Sequence, residues 1–535
     1  MESQSESKSL IIDILRQINQ SENIEDKEYK FPKDIIEVYS EFKKWLNENG
    51  AIYPNIEFPI AYLKGRLIGC KTTKNIEENT AILYIPYKLI IDSSKIEMKT
   101  SLPSLNKHNS IKIAYFLMKE FDKGDKSFYK PYIDLMLSNN YLSFPAFWNE
   151  EDSIELNDHE VDDKISNYKD EINQTYEQII KKTDVNIFEP VIFKKIYLFI
   201  ISRQFSINEN RTLLIPLADL LNHNPKVDIK YEFLDTINNI LTYSSEYDKE
   251  DKDLLVYTNC EKYFEYNKKE ISNKKQISFD MKNYDKEKLD LKNSDYFILS
   301  TNTNQTFKEG DQIYNNYGES SNEYLLINYS FCLIDNKYDS TNIILTTKQA
   351  DKFTANFVLE YMMKNLVNIG TYDVDNYLQL QFKIPRNKIS TKAFNFFKYI
   401  NILGRMRYED YVFIKKVELE ILESYLNFLV DTIFKMRFPI FKAINILKDM
   451  ISRTTFSLNQ KNIIVFKLTQ KINIEFQKEY IQFMLNIVEK CDENTKSYME
   501  LIKSIDEEKD YKPIYVSINK IKKVVKKFIT TKLPH

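Results

Sequence analysis

The sequence predicts an α+β fold in which a small-stranded β core is split by a helical insert and followed by an all-helical C-terminal domain. Three observations carry that expectation. Short apolar runs, stopped by proline or turn residues, occupy residues 67–92, and the pattern resumes near Leu213. Between them, apolar residues fall mostly at helical spacing. Beyond residue 346 that spacing returns over stretches long enough for a separate domain.

At 535 residues the chain is too long for one core, and roughly two to four domains are expected. Residues 1–49 read as a helical leader: Leu10, Ile14 and Ile18 share one pattern, and Ile36, Phe42, Trp45 and Leu46 a second that Gly50 can end. Residues 50–95 hold the first part of the core, with a strand at 81–86 stopped by Pro86 and another at 88–91. Residues 96–212 form the insert, with helices at 111–119, 132–137, 165–182 and 191–205, and with Phe144, Phe147 and Trp148 in an apolar loop. The second part of the core spans 213–345 and contains a polar insertion at about 241–293, where 255–257 and 277–279 are strand candidates. Residues 346–535 make the helical domain, with helices at 353–367, 417–434 and 466–488 and a basic one at 518–528.

Composition excludes several classes. Hydrophobic residues at 43% can build a core, so the chain is globular. The 75 Lys and Arg nearly balance the 78 Asp and Glu, which gives no global attraction to nucleic acid, and no direct nucleic-acid partner is expected. Cys70, Cys260, Cys332 and Cys491 are far apart and lack Cys-x-x-Cys spacing, so neither a metal site nor a disulfide framework is expected. No apolar run is long enough to span a bilayer. The expectation is a soluble monomer of the cytoplasm, the nucleus or both, without membrane attachment.

Two distant segments look like halves of one site: Ala218-Asp219-Leu220-Leu221-Asn222-His223 and Tyr317-Gly318-Glu319-Ser320-Ser321-Asn322-Glu323. Asn222 and His223 precede the breaker Asn224-Pro225, which puts them at a strand-to-loop junction where polar groups can meet a ligand. An asparagine cap beside a satisfied structural histidine is the alternative. Tyr317 follows the run Asp311-Gln312-Ile313-Tyr314, and its hydroxyl can hydrogen-bond a reacting nitrogen. A Tyr-Gly pair alone is weak in a chain with 37 tyrosines.

Taken with Phe307-Lys308-Glu309-Gly310-Asp311-Gln312-Ile313 and Asn328-Tyr329-Ser330-Phe331, these segments strongly resemble the SET-domain methyltransferases. Within them they resemble the group containing the plant Rubisco large-subunit lysine methyltransferase. Leu67-Ile68-Gly69-Cys70 looks like that group's opening segment, and Ser202-Arg203-Gln204-Phe205 like an element of its helical insert. Order and spacing agree over residues 50–345; the C-terminal third matches only in length and helical character.

The resemblance implies a knotted β SET core that binds S-adenosylmethionine on one face and admits a substrate lysine through a narrow channel from the other. It implies that the opening residues Arg66, Leu67, Ile68 and Gly69, together with Arg203, Asn222, His223, Tyr317 and Phe331, hold the cofactor. Tyr317 matches the catalytic tyrosine, and Tyr329 and Tyr231 are candidates for the substrate pocket. A protein substrate would dock on the C-terminal domain. Three departures stand out: Leu67 replaces the first of two glycines, Arg66 an acidic residue, and Ser330 a glycine. Histidine methylation and a non-catalytic binding module are the competing readings; a bulky Tyr231 favours lysine.

Overall fold

The structure is a computed structural model that describes residues 25–490 except 64, 187–188, 209–210, 235–239, 244–294, 335, 349–371, 375–376, 387–389, 391–392, 395, 398–400, 402–414, 437–442, 448 and 450–456. The helical patterns expected at residues 10–18, 353–367 and 518–528 and the strand candidates at 255–257 and 277–279 lie outside the described residues.

Helix α1 (Lys33–Glu48) buries Tyr39, Phe42, Trp45 and Leu46 on one face, and Gly50 follows it with φ +83°. Strands β1 (Ile56–Tyr62) and β2 (Leu67–Thr72) form an antiparallel hairpin. Strand β3 (Ala81–Pro86) falls where the apolar run predicts it. The strand expected at 88–91 shrinks to β4 (Ile91–Asp92), because Tyr87–Leu89 winds into a single 3-10 turn after Pro86.

The insert contains α2 (Asn109–Asp122), α3 (Lys130–Ser138), α4 (Glu150–Leu156), α5 (His159–Lys182) and α6 (Pro190–Arg203). Asn149 and Asp158 cap α4 and α5 with side-chain oxygens that accept from Asp152 N and Val161 N. Helix α6 ends at Arg203 rather than residue 205, since Phe205 already opens β5 (Phe205–Asn208), which pairs with β6 (Arg211–Leu214). The strand pattern therefore resumes before Leu213. Tyr132 of α3 stacks on both Phe42 and Trp45 of α1, with centroids 6.0 and 6.2 Å apart, and one continuous apolar core joins α1, the strands and the insert.

Strands β7 (Asn222–His223), β8 (Ile229–Leu234), β9 (Ile240–Tyr243), β10 (Tyr296–Thr301) and β11 (Gln312–Asn315) complete the strand core. Its sheets run β1-β2-β11-β7, β3-β10-β8-β9 and β4-β6-β5. Every residue of β10 is buried, as befits an interior strand with both faces covered.

Helix α7 (Asn322–Tyr329) leads to the C-terminal part, which is not all-helical. Strands β12 (Ser340–Lys348), β13 (Tyr372–Val374) and β14 (Tyr377–Pro385) form an antiparallel sheet ahead of helices α8 (Lys415–Lys435) and α9 (Leu458–Lys490). The cause is visible in β14, where Leu378-Gln379-Leu380-Gln381-Phe382-Lys383-Ile384 alternates apolar and polar with period two. Helix α9 packs Ile463, Val465, Phe466 and Leu468 into a second core with Trp148 and Leu156 of the insert and Leu326 of α7. Among the described residues, no helix is long and apolar enough to cross a membrane.

Candidate active site

Three strand ends converge on one point. Strand β11 pairs with β2 only where Gln312 and Ile313 lie opposite Lys71 and Cys70. It then runs parallel to β7, which sets Tyr314 beside Asn222 and Asn315 beside His223. The β2 edge at residues 67–69 is left uncovered by β11, and the Asn222 amide donates to the Ile68 carbonyl there at 3.2 Å.

This contact disfavours any side chain at position 69. A Cβ on Gly69 would lie 2.6 Å from Asn222 Nδ2 and 3.2 Å from the Tyr62 ring. Leu67, in contrast, opens an extended strand paired with Tyr62, and positive φ falls at Leu63 and Gly65 instead. A Cβ at Gly65 would collide with the Tyr29 ring. Arg66 is half-buried in the same turn, and its backbone N–H donates to the Leu63 carbonyl at 3.2 Å.

Tyr317 is fixed at both ends. Its backbone N–H donates to His223 Nδ1 at 3.0 Å, and its hydroxyl donates to the Leu221 carbonyl at 2.6 Å. The phenol ring stacks on the imidazole, with centroids 4.9 Å apart, and on Tyr329 at 5.1 Å. Phe331 completes the aromatic wall, 6.0 Å from His223 and 6.2 Å from Tyr329. Burial pushes His223 down to about 4, so at neutral pH it is uncharged and its Nδ1 accepts. Burial pushes Tyr317 up to about 12, with the nearby Arg203 acting the other way.

Arg203 reaches the site from the last turn of α6, donating to the Asp219 carbonyl and lying 5.1 Å over the Phe199 ring. The Asp219 carboxylate accepts from the Tyr132 hydroxyl. Burial raises Asp219 to about 6 against the opposing pull of Arg203 and Tyr132. Tyr231 stands on β8 and donates to Asn315 Oδ1 at 2.5 Å, while its ring packs on Phe205 and Phe297 at 5.4 and 6.0 Å. Tyr231 thus meets the tyrosine segment through Asn315.

Four neighbours have no role in the sequence reading: Tyr132, Asn315, and Asp219 and Gln312, which stand inside its quoted segments. Asp219 left a signal, a lone carboxylate in the apolar run from Leu217 to Leu221. Tyr132 left none, being one aromatic in a helical pattern. Both amide atoms of Gln312 are buried without a hydrogen-bond partner among the described residues, and a Cβ on Gly69 would come within 3.3 Å of its nitrogen.

No protein-family model matches the chain. It is similar in part to the chloroplastic fructose-bisphosphate aldolase-lysine N-methyltransferase of Arabidopsis thaliana, 26% identical over 204 residues, which are 36% of this chain and 41% of the relative. It is also similar to the ribosomal lysine N-methyltransferase set10 of Schizosaccharomyces pombe, 23% identical over 268 residues, 48% of this chain and 38% of the relative. The matches span about two fifths of each relative's length. The SET domain of LSMT bound to lysine and AdoHcy superposes with a TM-score of 0.56 at 14% identity, over 88% of this chain and 96% of that one. Rubisco LSMT bound to AdoMet gives 0.53 at 15% identity, over 86% and 96%. The chain therefore has the fold of the SET-domain lysine methyltransferases of the Rubisco LSMT type, with a largely helical C-terminal domain.

Proposed function

We propose that the chain is an S-adenosylmethionine-dependent protein-lysine N-methyltransferase, acting in the cytoplasm, the nucleus or both. The observation that carries this reading is Tyr317, stacked on His223 and Tyr329 with its hydroxyl anchored one residue before Asn222. The residues fit the amino-acid end of the cofactor. The β2 edge at 67–69 offers uncovered peptide groups, the Asn222 amide oxygen accepts from no group among the described residues, and the Gln312 amide lies buried beside Gly69 without a partner. S-adenosylmethionine, when bound, supplies a methyl group already activated by a sulfonium.

The remaining task of the protein is placement. At about 12, the Tyr317 phenol is ionised in only roughly one molecule in 10⁵ at pH 7, so it orients the amine rather than removing its proton. Its proton is engaged by the Leu221 carbonyl, which leaves its oxygen to accept from the amine. A lysine amine must be neutral to attack, and a wall of His223, Tyr317, Tyr329 and Phe331 favours that form by desolvation. The Arg203 cation works in the same direction, and the phenol of Tyr231 bound to Asn315 suits a slender aliphatic acceptor.

The test is transfer of a tritiated methyl from S-adenosylmethionine to cell-extract protein, with mass spectrometry of the labelled residues. Label on lysine Nζ is expected. Label on histidine rings would move the reading to the imidazole, and absence of label would remove the enzymatic reading.

A further inference from the structure

The turn that carries Tyr329 and Phe331 is held from outside the strand core. Ser330 ends α7 in the left-handed region with φ +61°, a conformation that disfavours a side chain. Two other elements meet it. Asn462, in the first turns of α9, donates to the Ser330 carbonyl at 2.7 Å, and Ser143, between α3 and α4, shares a hydrogen bond with the Ser330 hydroxyl at 2.9 Å. Asn462 is only 2% exposed, so its amide has little water as an alternative partner.

A polar row continues along the same face of α9. Thr469 accepts from the Asn322 amide at 3.0 Å, and Asn473 donates to Asp339 Oδ2 at 3.1 Å. Asp339 in turn accepts from the Asn322 backbone N–H at 2.8 Å. Since Asn322 opens α7 and Ser330 closes it, α9 grips both ends of the helix that delivers Tyr329. Directional hydrogen bonds between buried groups fix one register, where apolar packing alone would tolerate sliding.

We infer that Asn462 is a positioning residue for methyl transfer. Through Ser330 it holds Tyr329 and Phe331 against Tyr317 and His223, so the C-terminal domain helps to build the acceptor pocket. The effect on rate rests on the methyltransferase reading; the grip itself does not.

The test uses the full-length chain carrying Asn462→Ala, with Asn462→Gln retaining the donor. Three quantities are measured: labelling rate with tritiated S-adenosylmethionine and cell-extract protein, cofactor affinity by calorimetry, and amide hydrogen exchange over residues 328–333. Asn462→Ala is expected to label roughly tenfold more slowly, with cofactor Kd within about twofold and faster exchange confined to that segment. Asn462→Gln should restore part of both changes. Ser330→Gly suits the backbone, removes only the Ser143 arm, and should loosen the same segment less. Wild-type exchange at 328–333 in Asn462→Ala, or a rise spread over the whole chain, overturns the inference. An unlabelled wild type whose segment still loosens in Asn462→Ala removes the methyltransferase reading and leaves the grip standing.

Discussion

At position 69 a single methyl group decides whether Asn222 can reach the opening strand. With only 2.6 Å between a Cβ there and Asn222 Nδ2, Gly69→Ala must displace the amide that holds the Ile68 carbonyl. The variant should lose about 1–3 kcal/mol of stability by thermal unfolding and bind S-adenosylmethionine more weakly by calorimetry. Leu67→Gly gives the complementary result. Residue 67 sits in extended strand, so restoring a glycine should leave cofactor affinity unchanged or lower, and a gain would show that Leu67 obstructs the site. At this scale much was legible: Asn222, His223, Tyr317 and Tyr329 stand in motifs of unusual composition, and the structure stacks Tyr317 on His223 and Tyr329 while Asn222 bonds the Ile68 carbonyl of the opening strand. Asn315 was not legible, because its role depends on the parallel pairing of β11 with β7, and a register between distant strands leaves no local trace.

Elements carry the electrostatics, because Asp219, Arg203 and Tyr132 come from the segment before β7, from α6 and from α3. Folding raises Asp219 from 3.8 to about 6, so its contribution to stability is fully present below 3.8 and is lost as pH rises through 6. His223 works oppositely: lowered from 6.5 to about 4, it contributes stability above 6.5 that is lost as pH falls through 4. Asp219→Asn removes the first contribution and keeps the second. Its stability should therefore fall more steeply than wild type between pH 6 and 4, the two curves diverging by about 2 kcal/mol over that window, as followed by unfolding at stepped pH. Identical slopes would place the Asp219 carboxyl near its ordinary range. Helices were the most legible elements: α2, α3, α5 and α8 each follow an apolar stripe of the right length. Strand β14 was missed although its alternation is regular, because the helical spacing on either side set the expectation for the whole region.

At the scale of the whole molecule, the insert and the C-terminal region share a core with α7, so the parts are built around the site rather than strung beside it. That arrangement could not be read from the chain, since Trp148, Leu326 and Phe466 enter one core only once distant elements pack together. The central claim is that β2, β7, β11 and the turn after α7 form one pocket that places an amine against an activated methyl. Tyr317→Phe tests it most directly, through calorimetric binding of S-adenosylmethionine and the rate of tritiated-methyl transfer in one preparation. The account predicts a cofactor Kd within about threefold of wild type and transfer slower by roughly tenfold or more. Transfer at the wild-type rate in that variant would contradict it.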